Sequence, residues 1–278
     1  MTERALAGQR VEVNGLSLFV VDEGAGEPVI LLHGFPDSAD LWRHQVPALL
    51  GGGFRVIAPD LRGFGDSDKP EKIDDYVIFN ALADLRALMD ALGVERAHVV
   101  GHDFGAGIAW LMGSVEPARV NKLAVLSVGH PGAISRPLFK QMQLSWYTFF
   151  FQFAGTAEAA LAKDDWSLFR AWLASSPDMD RSIEAMSRPG ALTAGLSWYR
   201  ANMRPEIWGT EIPFPEVPVA TMGIWSSGDF ALTEEQMTDS VQYCSGPWRY
   251  ERIEGAGHWM QLDKPAEINA LLLDFLRG

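Results

Sequence analysis

The sequence predicts an α/β fold: a mostly parallel central sheet flanked by helices, with a helical cap inserted into it. Three observations carry this. Short apolar runs recur without clean alternation, as in strands covered on both faces. Helix-like segments separate those runs, which is the connection that parallel strands need. The rhythm then lapses from about Leu138 to Pro213, where aromatic-rich helical patterns replace it, and resumes afterwards.

Taken in order, residues 10–13 and 16–21 read as a hairpin turned at Asn14-Gly15. Residues 29–32 form a buried strand ending in His33-Gly34-Phe35-Pro36, and 54–58 another ending in Pro59-Asp60. Gly51-Gly52-Gly53 reads as a flexible loop. A helix is expected over 78–92, where apolar residues recur near every 3.6 positions. The run 97–100 ends in Gly101-His102-Asp103, a helix follows over 105–115, and 123–126 is a fourth strand. Beyond the lapse, strands are expected at 219–225 and 248–253, and an amphipathic helix at 265–276. The economical division is a core of residues 1–133 and 214–278 with a cap of 134–213.

A chain of 278 residues, 47% hydrophobic and 21% charged, buries a sizeable core, which excludes disordered, collagen-like and coiled-coil classes. The net charge of −13 argues against nucleic-acid or anionic-membrane partners, since both need a basic footprint. The one cysteine, Cys244, permits no intrachain disulfide or multi-cysteine zinc site and fits a reducing compartment. No basic segment followed by an apolar stretch opens the sequence, and no apolar run reaches about 18 residues. A cytoplasmic protein is expected.

The chemistry concentrates where strands end. In Gly101-His102-Asp103-Phe104-Gly105 a buried strand hands over to a helix, and the flanking glycines permit a sharp turn that lifts Asp103 above the sheet. Asp229 follows one later strand and His258 follows the next, so each lies at a strand's carboxyl end, where open α/β sheets build their sites. Singly, Asp103 reads as a helix cap, Asp229 as a turn residue and His258 as a core histidine. Together, in the order nucleophile, acid, histidine, they read as a triad. The backbone amides of Phe35 and Phe104 are placed to form an oxyanion hole. An aspartate at the nucleophile position is informative: attack on a saturated carbon gives an ester, which water can cleave at the enzyme's own carbonyl, whereas serine would give a stable ether. That points to an epoxide or alkyl halide and away from ordinary esterase chemistry.

Over nearly its whole length the chain resembles the α/β-hydrolase superfamily and, within it, the epoxide hydrolases. The motifs are HGFP at 33–36, DLRGFGDSDKP at 60–70, GHDFGAGIAW at 101–110, FQFAGTAE at 151–158, LSWYR at 196–200 and GHWMQLDKP at 257–265. The resemblance implies that Tyr147, five residues before Gln152, and Tyr199 of the WYR motif hydrogen-bond the epoxide oxygen. A phenol with a pKa of about 10 stays protonated at neutral pH and can do so. The same residues also read as aromatic packing.

The resemblance further implies a small apolar epoxide and water as reactants, no metal or organic cofactor, and a monomer or homodimer. Trp42, Trp146, Trp259 and His130 are expected on the substrate wall, while His102 is expected to be structural. Activity is expected to fall below the pKa of His258, near 6.5 if unperturbed. The main rival is a haloalkane or haloacetate dehalogenase, which uses a similar triad. Phe35 and Phe104 replace the asparagine, tryptophan or arginine that resemblance to those enzymes would require. A non-catalytic binding protein on the same fold, or a cap that docks a partner through its aromatics, are further alternatives.

Overall fold

In the computed structural model, which describes residues 5–136, 138–204, 206 and 214–278, one eight-stranded sheet forms the centre. In chain order the elements are β1 (Gln9–Val13), β2 (Leu16–Glu23), β3 (Pro28–Leu32), α1 (Gln45–Gly51), β4 (Arg55–Pro59), α2 (Ile78–Ala91), β5 (Ala97–His102), α3 (Phe104–Val115) and β6 (Val120–Leu126). Six helices follow: α4 (Pro131–Ile134), α5 (Phe139–Leu144), α6 (Trp146–Phe150), α7 (Thr156–Trp172), α8 (Met179–Met186) and α9 (Ala191–Asn202). The chain closes with β7 (Ala220–Gly228), α10 (Glu234–Thr238), β8 (Trp248–Gly257), α11 (Met260–Asp263) and α12 (Pro265–Arg277).

Strand order is β1-β2-β4-β3-β5-β6-β7-β8; β1 and β2 run antiparallel to their neighbours and the rest are parallel. The Asn14-Gly15 turn joins β1 to β2 with both residues at positive φ (49° and 76°), the geometry of the tight hairpin turns that favour this pair. All six residues of β5 are buried, so both faces of the sheet centre are covered. α3 is buried from Phe104 to Ala106 and from Ile108 to Ser114, as befits a helix enclosed on nearly all sides. α12 is anchored by Ile268, Leu272 and Leu276, one turn apart, and Pro265 opens it where a missing N–H costs nothing.

Two expectations about local structure change. Gly51-Gly52-Gly53 is an ordered helix end, not a loose loop. Gly51 closes α1, Gly53 takes φ +90°, and the amides of Gly53 and Phe54 return to the carbonyls of Leu50 and Leu49 at 3.0 and 3.1 Å. β7 and β8 both run beyond the expected 225 and 253, to Gly228 and Gly257, and their last paired positions bring the segments carrying Asp229 and His258 side by side. The first helix after β6, α4, spans Pro131–Ile134 across the expected boundary at 133/134, and the expected boundary at 213 lies outside the described residues. α7 is interrupted by a left-handed stretch at Asp164, Asp165 and Trp166.

Candidate active site

β3, β5, β7 and β8 are adjacent in the sheet or one strand apart, so their carboxyl ends deliver His33–Phe35, Asp103, Asp229 and His258 to one place. Asp103 sits between β5 and α3 at φ 53°, ψ −124°, a conformation outside the ordinary wells for a non-glycine residue. The turn is tight enough to dictate its neighbours. A Cβ on Gly105 would stand 2.1 Å from the Leu32 carbonyl oxygen, and one on Gly101 2.3 Å from that of Gly105. A Cβ on Gly34 would strike Asp103 Oδ1 itself at 2.1 Å.

That carboxylate is held by backbone. The Phe35 amide donates to Oδ1 at 2.8 Å and the Phe104 amide also bonds the carboxylate. His33 fixes the loop that presents Phe35. Its Nε2 accepts the Leu61 N–H at 2.9 Å, which leaves Nδ1 to donate to the Gly34 carbonyl at 2.8 Å. Burial pushes the Asp103 carboxyl above its ordinary value, and the charge on His258 and the two amides hold it back.

His258 Nδ1 donates to Asp229 Oδ2 at 3.0 Å, and Nε2 faces Asp103 Oδ2 at 3.8 Å. The Asp229 side chain is wholly enclosed, and its other oxygen accepts the amides of Ala231 and Leu232 at 2.9 and 3.0 Å. Beneath His258, the ring of His102 lies 4.6 Å away; its Nε2 bonds the His258 carbonyl at 3.0 Å, and burial keeps it neutral. Burial alone would lower the His258 pKa, but the carboxylates of Asp229, Asp103 and Asp37 outweigh it and push it up to about 9. The value near 6.5 given for an unperturbed imidazole does not apply, because these carboxylates perturb it.

From the inserted helices, Tyr147 on α6 and Tyr199 on α9 meet edge to face with ring centroids 5.8 Å apart, and Tyr199 stands over Phe104 at 4.9 Å. The residues that surround them in the sequence motifs hold the two helices in register. Arg200 donates to the Phe151 carbonyl at 2.8 Å and forks onto Glu158 at 2.7 and 2.9 Å. Gln152 donates to the carbonyls of Tyr199 and Met203. Among the described residues neither phenolic hydroxyl bonds to protein, and burial pushes both phenols above their ordinary value.

Asp103, Tyr147 and Tyr199 share a cavity of about 580 Å³ whose apolar wall includes Ile78, Leu111, Val128, Met142, Phe214 and Leu232. The four residues expected on the wall, Trp42, Trp146, Trp259 and His130, do not line it. Trp42 is enclosed in the core. Trp146 is half-exposed, because one residue along a helix rotates a side chain about 100° away from its neighbour Tyr147. The Trp259 indole donates to Asp37 at 2.9 Å and stacks on Phe230. His130 caps α4 by accepting the Gly132 amide, and its ring stacks on Tyr243.

Asp37 was not anticipated. It follows Pro36 directly, is half-buried beside Trp259, and desolvation with neighbouring carboxylates raises its pKa to about 7. Its signal was an acidic residue one step beyond the HGFP turn. Gln141 is a second such residue: the sequence shows only a glutamine within an aromatic stretch.

A family model described as alpha/beta hydrolase fold matches residues 27–265. The chain is 36% identical to Epoxide hydrolase A of Mycobacterium tuberculosis, with 96% of each chain covered. Its structure superposes on the crystal structure of Epoxide Hydrolase A from Mycobacterium thermoresistibile with a TM-score of 0.81 at 31% identity, covering 98% of both chains. Against the Bacillus megaterium epoxide hydrolase in complex with an inhibitor the TM-score is 0.88 at 28% identity, covering 97% of this chain and 100% of the other.

Proposed function

The chain belongs to the α/β-hydrolase fold family and, within it, to the epoxide hydrolases, and from that premise we propose that it converts an apolar epoxide to a vicinal diol in two covalent steps on Asp103. One observation carries the reading. A carboxylate gripped by two backbone amides faces, across an apolar cavity, two phenols whose hydroxyls have no protein partner among the described residues. The phenols are the donors a departing epoxide oxygen needs.

In the first step Asp103 Oδ2 attacks one epoxide carbon. The carbon–oxygen bond breaks, its electron pair goes to oxygen, and Tyr147 and Tyr199 stabilise and protonate the alkoxide. In the second step His258, neutral and oriented by Asp229, takes a proton from water as that water attacks the Asp103 ester carbonyl. The oxyanion rests on the Phe35 and Phe104 amides. Collapse expels the diol oxygen, which takes the proton from His258. The acid left on Asp103 loses its proton, and the tyrosine regains one. Water and epoxide are consumed, and the enzyme returns unchanged.

The proposed division is a hydrolase core of residues 1–133 and 214–278 under a cap of 134–213. The run of helices between β6 and β7 supports it. No helix among the described residues is long and apolar enough to cross a membrane. A cytoplasmic location is proposed on the single cysteine, Cys244, which fits a reducing compartment.

The test is intact-protein mass spectrometry of His258→Gln incubated with styrene oxide, an epoxyalkane, a bromoalkane and a haloacetate. Without its base the ester accumulates. A gain of the whole epoxide mass, mapped to Asp103, is expected. A gain lacking hydrogen halide, seen only with the halides, overturns the reading in favour of a dehalogenase, and no adduct from any compound overturns the covalent mechanism.

A further inference from the structure

Gln141 lies on α5 between residues that face solvent, yet its side chain is buried. Its carboxamide reaches out of the inserted helices to the loop after β7. Nε2 donates to the Ala231 carbonyl at 2.8 Å and Oε1 accepts the Thr233 amide at 2.9 Å. A further bond from Nε2 to Ser145 Oγ at 2.9 Å fixes the rotamer. The amide therefore pairs with one C=O and one N–H two residues apart, as a neighbouring strand would. A carboxamide offers a donor and an acceptor on one planar group in this way.

The gripped segment is the one that holds the triad acid. Asp229 Oδ1 accepts the amides of Ala231 and Leu232, while Gln141 bonds Ala231 and Thr233, so both side chains hold Ala231 and between them they span 231–233. The other side-chain bonds on this segment come from the core: Trp225 Nε1 to the Leu232 carbonyl at 3.0 Å and Gln236 Nε2 to that of Thr233 at 2.8 Å. Gln141 supplies the attachment from the inserted helices. It also lines the substrate cavity, together with Leu232.

We propose that Gln141 is a positioning residue: it couples the seating of the cap to the orientation of Asp229 and, through Asp229, to the base strength of His258. The inference rests on the two-step reading above. Its consequence is unequal between the steps. Ester formation uses Asp103 and the phenols and does not need the His258–Asp229 pair, whereas ester hydrolysis does. His258 faces Asp229, Asp103 and Asp37, with neutral His102 beneath it, so weakening the Asp229 contact alone lowers its pKa.

The experiment is rapid-quench kinetics with styrene oxide on Gln141→Leu and Gln141→Glu, following the Asp103 ester by mass and the diol product. Leucine removes both bonds at similar volume; glutamate keeps the acceptor for Thr233 and loses the donor to Ala231. In Gln141→Leu, hydrolysis of the ester is expected to slow about tenfold or more, while ester formation changes less than about threefold. The ester then accumulates, and the pH midpoint of hydrolysis falls. Gln141→Glu is expected to lie between the two. Equal slowing of both steps, or an unmoved pH midpoint, overturns the inference and leaves Gln141 a packing residue. Absence of any Asp103 ester, in these variants and in His258→Gln alike, overturns the two-step reading together with it.

Discussion

His258 Nε2 lies 3.8 Å from Asp103 Oδ2, while Nδ1 is 3.0 Å from Asp229 Oδ2. The near carboxylate orients the ring. The far one is beyond direct hydrogen-bonding distance and is the charge that the reaction removes. Once Asp103 is esterified, one of the carboxylates that raise His258 to about 9 is gone, so the imidazolium loses its proton more readily at the stage where a base is needed. The free-enzyme imidazole is therefore expected to titrate near 9 by NMR, and ester hydrolysis to rise with pH through a lower midpoint. Identical midpoints would sink the link between ester formation and base strength. The sign for stability follows from the raised folded pKa. The favourable contribution is complete below about 6.5 and is lost as pH rises through about 9. Denaturation of wild type against His258→Gln across that window measures it.

Asp37 carries the opposite strain. Its folded pKa of about 7 lies above an unfolded value of 3.8 because burial disfavours the charge. Burying the carboxyl is therefore tolerated below about pH 4 and becomes a liability as pH rises through 7. Asp37→Asn keeps an acceptor for Trp259 Nε1 and removes the charge. It is expected to be more stable than wild type by about 1–3 kcal/mol above pH 7, with the gap closing near pH 4. The same change takes a negative charge from beside His258 and lowers its midpoint. A variant less stable than wild type at every pH would mean that the carboxylate has a partner the burial argument does not count.

How far the sequence could be read depended on how locally each feature is encoded. β3, β5 and β6 are apolar runs buried on both faces, and that pattern survives any arrangement of the rest. Asp103, Asp229 and His258 were findable because each directly follows a strand. The cavity wall was not, because the path from Phe139 to Phe153 is apolar on both sides. Phe139, Trp146 and Phe153 point outward while Tyr147 and Phe151 point in, and periodicity cannot choose between such faces. The His258 pKa was hidden for a related reason. It depends on three carboxylates that only the fold assembles, one of them more than 200 positions away in the chain.

Two glycines close the nucleophile turn. A Cβ on Gly34 meets the Asp103 carboxyl and, at 2.5 Å, the Asp103 Cβ, which moves only with its backbone, whereas one on Gly105 meets the Leu32 backbone. Gly34→Ala is expected to lower Tm and to lose ester formation by about 100-fold or more, because the attacking carboxylate is displaced. Gly105→Ala is expected to cost about 1–3 kcal/mol of stability, since the β3–α3 contact must open. Thermal melts and quenched ester yields on both variants decide the matter. A Gly34→Ala enzyme with full activity would mean the carboxylate need not rest where Phe35 and Phe104 hold it.

Tyr147 and Tyr199 approach the cavity from helices more than 40 residues apart in the chain, yet their rings meet at 5.8 Å and both hydroxyls lack protein partners among the described residues. Two donors on one developing alkoxide share the charge, so each removal should be costly and neither complete. Tyr147→Phe and Tyr199→Phe are each expected to slow ester formation about 10- to 1000-fold, with the double variant slower still, because each removes one donor of the oxyanion-hole kind. Hydrolysis of an ester already formed is expected to keep its rate, since that oxyanion rests on the Phe35 and Phe104 amides. Single-turnover kinetics with styrene oxide separates the steps. A phenylalanine variant that opens the epoxide at the wild-type rate would make its tyrosine part of the wall. If both variants did so, the proton would have to come from His258, which is charged in the free enzyme and stands beside the same carboxylate.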